Sequence, residues 1–190
     1  MPKSPELREA RDVPVIAIAG FMAAGKSTVG RSLAWLLKWS FVDLDSEIEK
    51  RCGKSVREIF AQRGEAEFRK IEAEALCSAL EAVSEPTVIA LGGGTFVESQ
   101  NAELLRARSA HVVFLDVPLE ELLRRCRAGS ERCASNPRPL AQDQQSLRKL
   151  HAQRLPHYRR ADSIVAGENK TPEQIALDIA RALDLLGAAG

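Results

Sequence analysis

Apolar residues fall along this chain in two modes. Some form short unbroken runs, and others recur every three or four positions over longer stretches. Val15-Ile-Ala-Ile-Ala19 is an unbroken run directly before a glycine-rich turn. A strand that is apolar at every position has no solvent face, so this run predicts a central strand of a parallel sheet, covered on both sides. Similar runs at Phe41-Val42, Val88–Leu91, Val112–Leu115 and Ile164-Val165 predict four more buried strands. Between them lie helical stretches with legible ends. One follows the first strand and runs to about Lys38. Ser55-Val-Arg-Glu58 is a capping box opening a helix that Gly64 closes. Pro118 suits the first turn of another, ended by Gly129. Thr171-Pro-Glu-Gln174 combines a cap, an N1 proline and a box glutamine, and leads into Ile175, Ile179, Leu183 and Leu186 on one face. Strand and helix alternating about five times predict an α/β fold with a parallel sheet. No internal repeat or Pro/Gly-rich linker divides the chain. Residues 13–187 therefore read as one domain behind a flexible leader, residues 1–12.

Composition narrows the functions available. With 190 residues, 27 Lys+Arg against 26 Asp+Glu and 45% hydrophobic content, the chain is an ordinary globular protein with no global field for a polyanion. Nucleic acid is therefore not an expected partner. The longest apolar stretch, Val13 to Gly25, contains Pro14 and is shorter than the ~18–20 residues that cross a bilayer, so no membrane association is expected. Cys52, Cys77, Cys126 and Cys133 are too dispersed for a CxxC pair or a disulfide scaffold, and a reducing cytoplasm is the default. Charge is uneven within this balance. Asp43 to Glu85 carries 11 acidic and 7 basic residues, whereas Leu119 to Arg160 carries 10 basic and 4 acidic. Solvated helix faces account for most of these, but clustered arginines also suit compact phosphate groups.

Gly20-Phe-Met-Ala-Ala-Gly25-Lys26-Ser27 matches GxxxxGK[ST], and it lies between a predicted buried strand and a helix, where that motif works. Glycines let the backbone turn its N–H groups toward phosphate oxygens, and the helix N-terminus adds partial positive charge. Lys26 would reach the β- and γ-phosphates, and the Ser27 hydroxyl would ligate a bridging Mg²⁺. Phe41-Val-Asp43-Leu-Asp45 places two carboxylates at the end of the second strand, where alternation would turn both to one side. One could serve the Mg²⁺ shell while the other bonds or deprotonates a substrate hydroxyl. Alternatively, Asp45 merely caps the helix that starts at Ser46. Gly92-Gly-Gly94 follows another buried strand and bares backbone to a ligand, and Arg69 with Arg154 facing it would form a carboxylate clamp. Ser130 to Pro139 lacks a helical pattern, which sets Arg138, between two prolines, on a candidate lid spanning about 127–141.

In combination, GFMAAGKST at 20–28, FVDLD at 41–45, FRKIE at 68–72, GGG at 92–94, NPRPL at 136–140 and RLPHY at 154–158 resemble shikimate kinase. That resemblance implies a three-layer P-loop kinase fold with a five-stranded parallel sheet, flanking helices and a mobile lid. It implies transfer of the ATP γ-phosphate to the 3-hydroxyl of shikimate, in chorismate and aromatic amino-acid biosynthesis, by a cytoplasmic monomer. By the same comparison Ala23, Ala24, Gly25, Lys26, Ser27 and Thr28 hold ATP phosphates, and Ser27 and Asp43 serve Mg²⁺. Asp45 holds the shikimate hydroxyls. Arg69 and Arg154 hold the carboxylate, Gly92, Gly93 and Gly94 offer backbone, Arg138 closes on the transferring group, and Lys170 or the backbone near Pro172 meets the adenine. Ala23 stands where the family commonly has glycine, which suits a negative φ. The alternatives are another hydroxy-acid kinase of this fold, such as a gluconate kinase, and a nucleotide-binding regulatory protein without turnover.

Overall fold

The computed structural model describes residues 14–132 and 144–186. Its strands are β1 (Val15–Ala19), β2 (Ser40–Asp43), β3 (Thr87–Ala90), β4 (His111–Asp116) and β5 (Ser163–Ala166). Its helices are α1 (Lys26–Leu37), α2 (Leu44–Cys52), α3 (Val56–Glu81), α4 (Ser99–Ala107), α5 (Leu119–Arg132), α6 (Gln144–Tyr158) and α7 (Pro172–Ala182), and a 3-10 turn spans Thr95–Val97. The strands form one sheet in the order β2-β3-β1-β4-β5, with every pair parallel. This is the five-stranded sheet flanked by helices that the alternating pattern predicts.

β1 and β3 are buried at every position, as continuous apolar runs require. β2 and β5 depart from that reading: both are edge strands, β2 is only half-buried along its length, and Ile164 is 53% exposed. Only the β1-to-β2 connection runs the other way across the sheet. Right-handed crossovers therefore set α1 on one face, where it packs against α7, and α3 and α4 on the other. Both predicted capping boxes form: Ser55 with Glu58, and Thr171 with Gln174.

Helix ends are less faithful to the sequence reading. Gly64 takes φ 76° and kinks α3 rather than closing it, and the chain resumes helix to Glu81. Gly129 does not end α5, which continues to Arg132; one interior glycine costs only about 1 kcal/mol of helix propensity. α7 ends at Ala182, leaving Leu186 beyond the helix and exposed. The expected leader, Arg138 and residues 133–141 of the expected lid lie outside the described residues.

Candidate active site

All five strands point the same way, so their C-terminal ends share one edge, and a ligand crevice opens where the connections of neighbouring strands leave in opposite directions. β1 leads back to β2, whereas its neighbours β3 and β4 lead the other way. In register, Asp43 lies beside Ala90, and Ala90 beside Ile18, so the segments after β2, β3 and β1 emerge side by side.

The segment after β1 is the Gly20–Thr28 loop. Gly25 is the N-cap of α1 at φ 98°, ψ 18°, and the first turn of α1 carries no side-chain cap and no acidic residue. Its N–H groups are thus presented without a competing carboxylate, as anion binding at a helix N-terminus requires. Ser27 and Thr28 are exposed on that turn. Lys26 is buried, and its Nζ donates to the Phe21 carbonyl at 3.0 Å. Ala23 corrects the negative φ that suited an alanine: it sits at φ 60°, in the left-handed region. Residues of opposite backbone hand turn successive N–H groups into one concavity, and here an alanine supplies one of those turns. Arg125, from α5, donates through Nη1 to the Ala24 carbonyl at 3.1 Å and through Nε to Glu121 at 2.8 Å.

Asp43 and Asp45 depart from the sequence reading in two respects, the strand alternation and the helix cap. β2 stops at Asp43, which is the N-cap of α2 and accepts the Ser46 N–H at 3.2 Å. Leu44 and Asp45 are already helical, so strand alternation does not align the two carboxylates, and the cap is Asp43 rather than Asp45. Asp45 reaches the crevice from the first turn of α2. A Cβ built on Gly92 would lie 2.9 Å from Asp45 Oδ1, 2.8 Å from Glu72 Oε1 and 2.8 Å from Thr95 Oγ1. Only glycine fits among these three oxygens.

The arginines meet the glycine run as expected. The Arg69 guanidinium covers Gly94, where an added Cβ would fall 2.7 Å from Cζ. Arg69 Nη1 donates to Glu72 Oε2 at 2.7 Å, and Nη2 to Glu65 at 3.0 Å. Burial lowers the Arg69 pKa, but Glu72 and Glu65 more than offset it and hold the guanidinium above its ordinary value. Glu72 is 1% exposed. Burial pushes its carboxyl up, the Asp45 charge adds to this, and Arg69 with the Thr95 hydroxyl (2.7 Å) opposes it. From α6, Arg154 Nη1 donates to the Gly93 carbonyl at 3.1 Å, and the buried Tyr158 hydroxyl donates to the same oxygen. A Cβ on Gly93 would stand 3.4 Å from the Met22 amide nitrogen. The glycine run therefore abuts the anion cradle directly.

Lys170 lies ahead of α7 with its ammonium paired to Asp178 at 2.8 Å. Among the described residues, no cluster of three or more His, Cys, Asp or Glu could enclose a metal. The oxygen donors beside the cradle are the exposed Ser27 hydroxyl and the Asp43 carboxylate, and hard oxygens of this kind are what Mg²⁺ takes together with water and phosphate.

Glu72, Thr95, Arg125 and Tyr158 are site residues that motif reading left without roles. Glu72 and Tyr158 carried a local signal, lying three positions after Arg69 and four after Arg154 on one helix face.

A family model for shikimate kinase matches residues 22–184. Among relatives, a shikimate kinase of Moorella thermoacetica is 41% identical over 170 residues, covering 88% of this chain and 93% of its own. One from Persephonella marina is 37% identical over 164 residues, covering 86% and 95%. Among solved structures, a shikimate kinase from Acinetobacter baumannii in complex with shikimate superposes with a TM-score of 0.80 at 34% identity, over 91% of this chain and 94% of that one. A gluconokinase from Sinorhizobium meliloti, with a TM-score of 0.57 at 16% identity, covers 95% of this chain and 99% of its own and shares the fold alone. With a family model over most of its length and relatives alike from end to end, this chain belongs to the shikimate kinase family.

Proposed function

We propose that this chain transfers the γ-phosphate of ATP to the 3-hydroxyl of shikimate, giving shikimate 3-phosphate on the route to chorismate. One observation carries the reading: the anion cradle after β1 touches a glycine run covered by two arginines, at Met22 and Gly93. A phosphate donor and a small carboxylate acceptor can thus meet at one sheet edge.

In this reading Ala23–Thr28 hold the ATP phosphates with backbone N–H groups. Lys26 exchanges the neutral Phe21 carbonyl for an anionic phosphoryl oxygen, which strengthens its hydrogen bond as charge develops. Arg125 adds positive charge beside the same loop. Asp45 bonds the acceptor's hydroxyls and takes the proton of the attacking one. Arg69 and Arg154 hold the acid's carboxylate, and Gly92–Gly94 supply backbone contacts. Ser27 and Asp43 would hold Mg²⁺, which would supply charge neutralisation for the phosphates. Arg138 and the lid of residues 127–141 close over the transfer and exclude water, and Lys170 lies by the adenine. Residues 13–187 act as one domain, in a cytoplasmic monomer. Among the described residues, no helix is long and apolar enough to cross a membrane.

The test is ADP release with Mg·ATP against shikimate, gluconate, AMP and no acceptor, with the product identified by mass. Shikimate-dependent turnover alone is expected. Preference for gluconate would transfer the site to the alternative acid, and ATP binding without turnover on any acceptor would make the chain a regulatory protein.

A further inference from the structure

α6 carries three residues of one face into the crevice. His151 sets its ring edge-on to Phe21 of the cradle, with centroids 5.2 Å apart, while Arg154 and Tyr158 both reach the Gly93 carbonyl. A carbonyl oxygen has two lone pairs, and here each takes one donor. Because the peptide is planar and trans, fixing the Gly93 carbonyl toward α6 fixes the following N–H, that of Gly94, in the opposite direction. That N–H has no acceptor among the described residues.

We infer that Tyr158 is a positioning residue for acid binding: its hydroxyl orients the Gly93-Gly94 peptide and the neighbouring Arg154 guanidinium, so that backbone N–H and arginine meet the acceptor's oxygens together. The inference rests on the proposed acid-binding role of this crevice. Glycine runs are conformationally permissive, so three in succession have no intrinsic reason to hold one peptide orientation. The restraint has to come from outside the run, and Tyr158 is built to supply it. It is 1% exposed, its ring stacks on Phe114 of β4 at 5.2 Å, and its hydroxyl meets Arg154 at the shared Gly93 carbonyl. Burial pushes the phenol up to about 12, so it remains a donor throughout the assay range. Arg154 needs only one of its five N–H groups for Gly93, which leaves the others for a carboxylate.

Tyr158→Phe keeps the ring and its stacking and removes only the hydroxyl. Losing one such hydrogen bond should raise KM for shikimate about tenfold, with KM for ATP changed less than twofold. A hydroxyl that merely stabilises the fold would lower Tm and leave the acid KM alone; that result, or an equal rise in both KM values, overturns the inference. Wild-type turnover of shikimate, measured first, tests the functional reading separately. Should another acid of the panel be the acceptor, its KM is compared instead, and if no acid is turned over the inference falls with that reading. Tyr158 is the chain's only tyrosine, so biosynthetic replacement by 3-fluorotyrosine gives one ¹⁹F resonance without altering the fold. If Tyr158→Phe does not fold, this resonance decides. It should shift more on addition of shikimate than of Mg·ADP, and an equal or absent shift refutes the positioning role.

Discussion

A single buried tyrosine allows one stability term to be followed through alkaline pH. The ordinary phenol titrates near 10, and in the folded chain burial pushes Tyr158 up to about 12. The folded state then keeps its proton where the unfolded state has released it. Tyr158 therefore contributes its full stability below pH 10 and loses it as pH rises through the folded pKa. At 1.36 kcal/mol per pKa unit, a gap of about two units corresponds to about 2.7 kcal/mol lost between roughly pH 10 and 12. Lysines and arginines also titrate there, so the quantity to measure is the difference between wild type and Tyr158→Phe in urea-unfolding free energy at each pH. It should stay flat up to about pH 9.5 and fall with a slope near 1.4 kcal/mol per unit above 10. In parallel, tyrosinate absorbance near 295 nm, which reports only this residue, should remain absent in the folded protein until about pH 12. A midpoint near 10 in folded protein, or a difference that does not vary with pH, would show that the hydroxyl is solvated and not held against Gly93.

Three further outcomes test the crevice. Lys26→Ala should lower kcat at least about 100-fold with an unchanged circular dichroism spectrum; normal turnover would remove Lys26 from the phosphate site. Gly94→Ala drives a methyl group into the Arg69 guanidinium, so KM for shikimate should rise about tenfold while KM for ATP holds, roughly the loss of one charge-assisted hydrogen bond. An unchanged acid KM would mean that Arg69 can leave Gly94 without consequence. Glu72→Ala strips Arg69 of its buried partner and should cost about 2–4 kcal/mol in urea melts. Glu72→Gln keeps the side-chain shape and an oxygen acceptor for Arg69, and should stay within about 1 kcal/mol of wild type. Equal losses in the two variants would contradict that reading.

The anion cradle was legible because its chemistry is contiguous: strand, glycines, lysine and serine occupy one stretch, and local rules suffice to read it. Arg125 and Tyr158 were not, because each acts through a backbone carbonyl about 100 or 65 positions away, and no periodicity records which loop a helix will cover. Asp43 and Asp45 show a subtler failure. Their placement turns on whether Leu44 ends a strand or begins a helix. Its burial suits either, so a one-residue boundary gives the cap to Asp43 and removes the alternation that would set both carboxylates on one side. Ile164 likewise reads as an interior strand residue until the strand order puts β5 at the edge. Gly64 reads as a helix end, but whether helix resumes after it depends on the residues that follow, Phe68, Glu72 and Leu76, having a surface to bury against.

The left-handed alanine of the cradle bears on how the loop meets its ligand. An alanine at φ 60° carries a standing strain of about 1–2 kcal/mol. Once held there, though, it samples far fewer backbone shapes than a glycine at the same place would. Gly20 and Gly25 are separated by a stiffened centre, and the concavity is formed before any phosphate arrives. Less chain disorder is then frozen out on association, and the penalty is already met within the folding free energy of the chain.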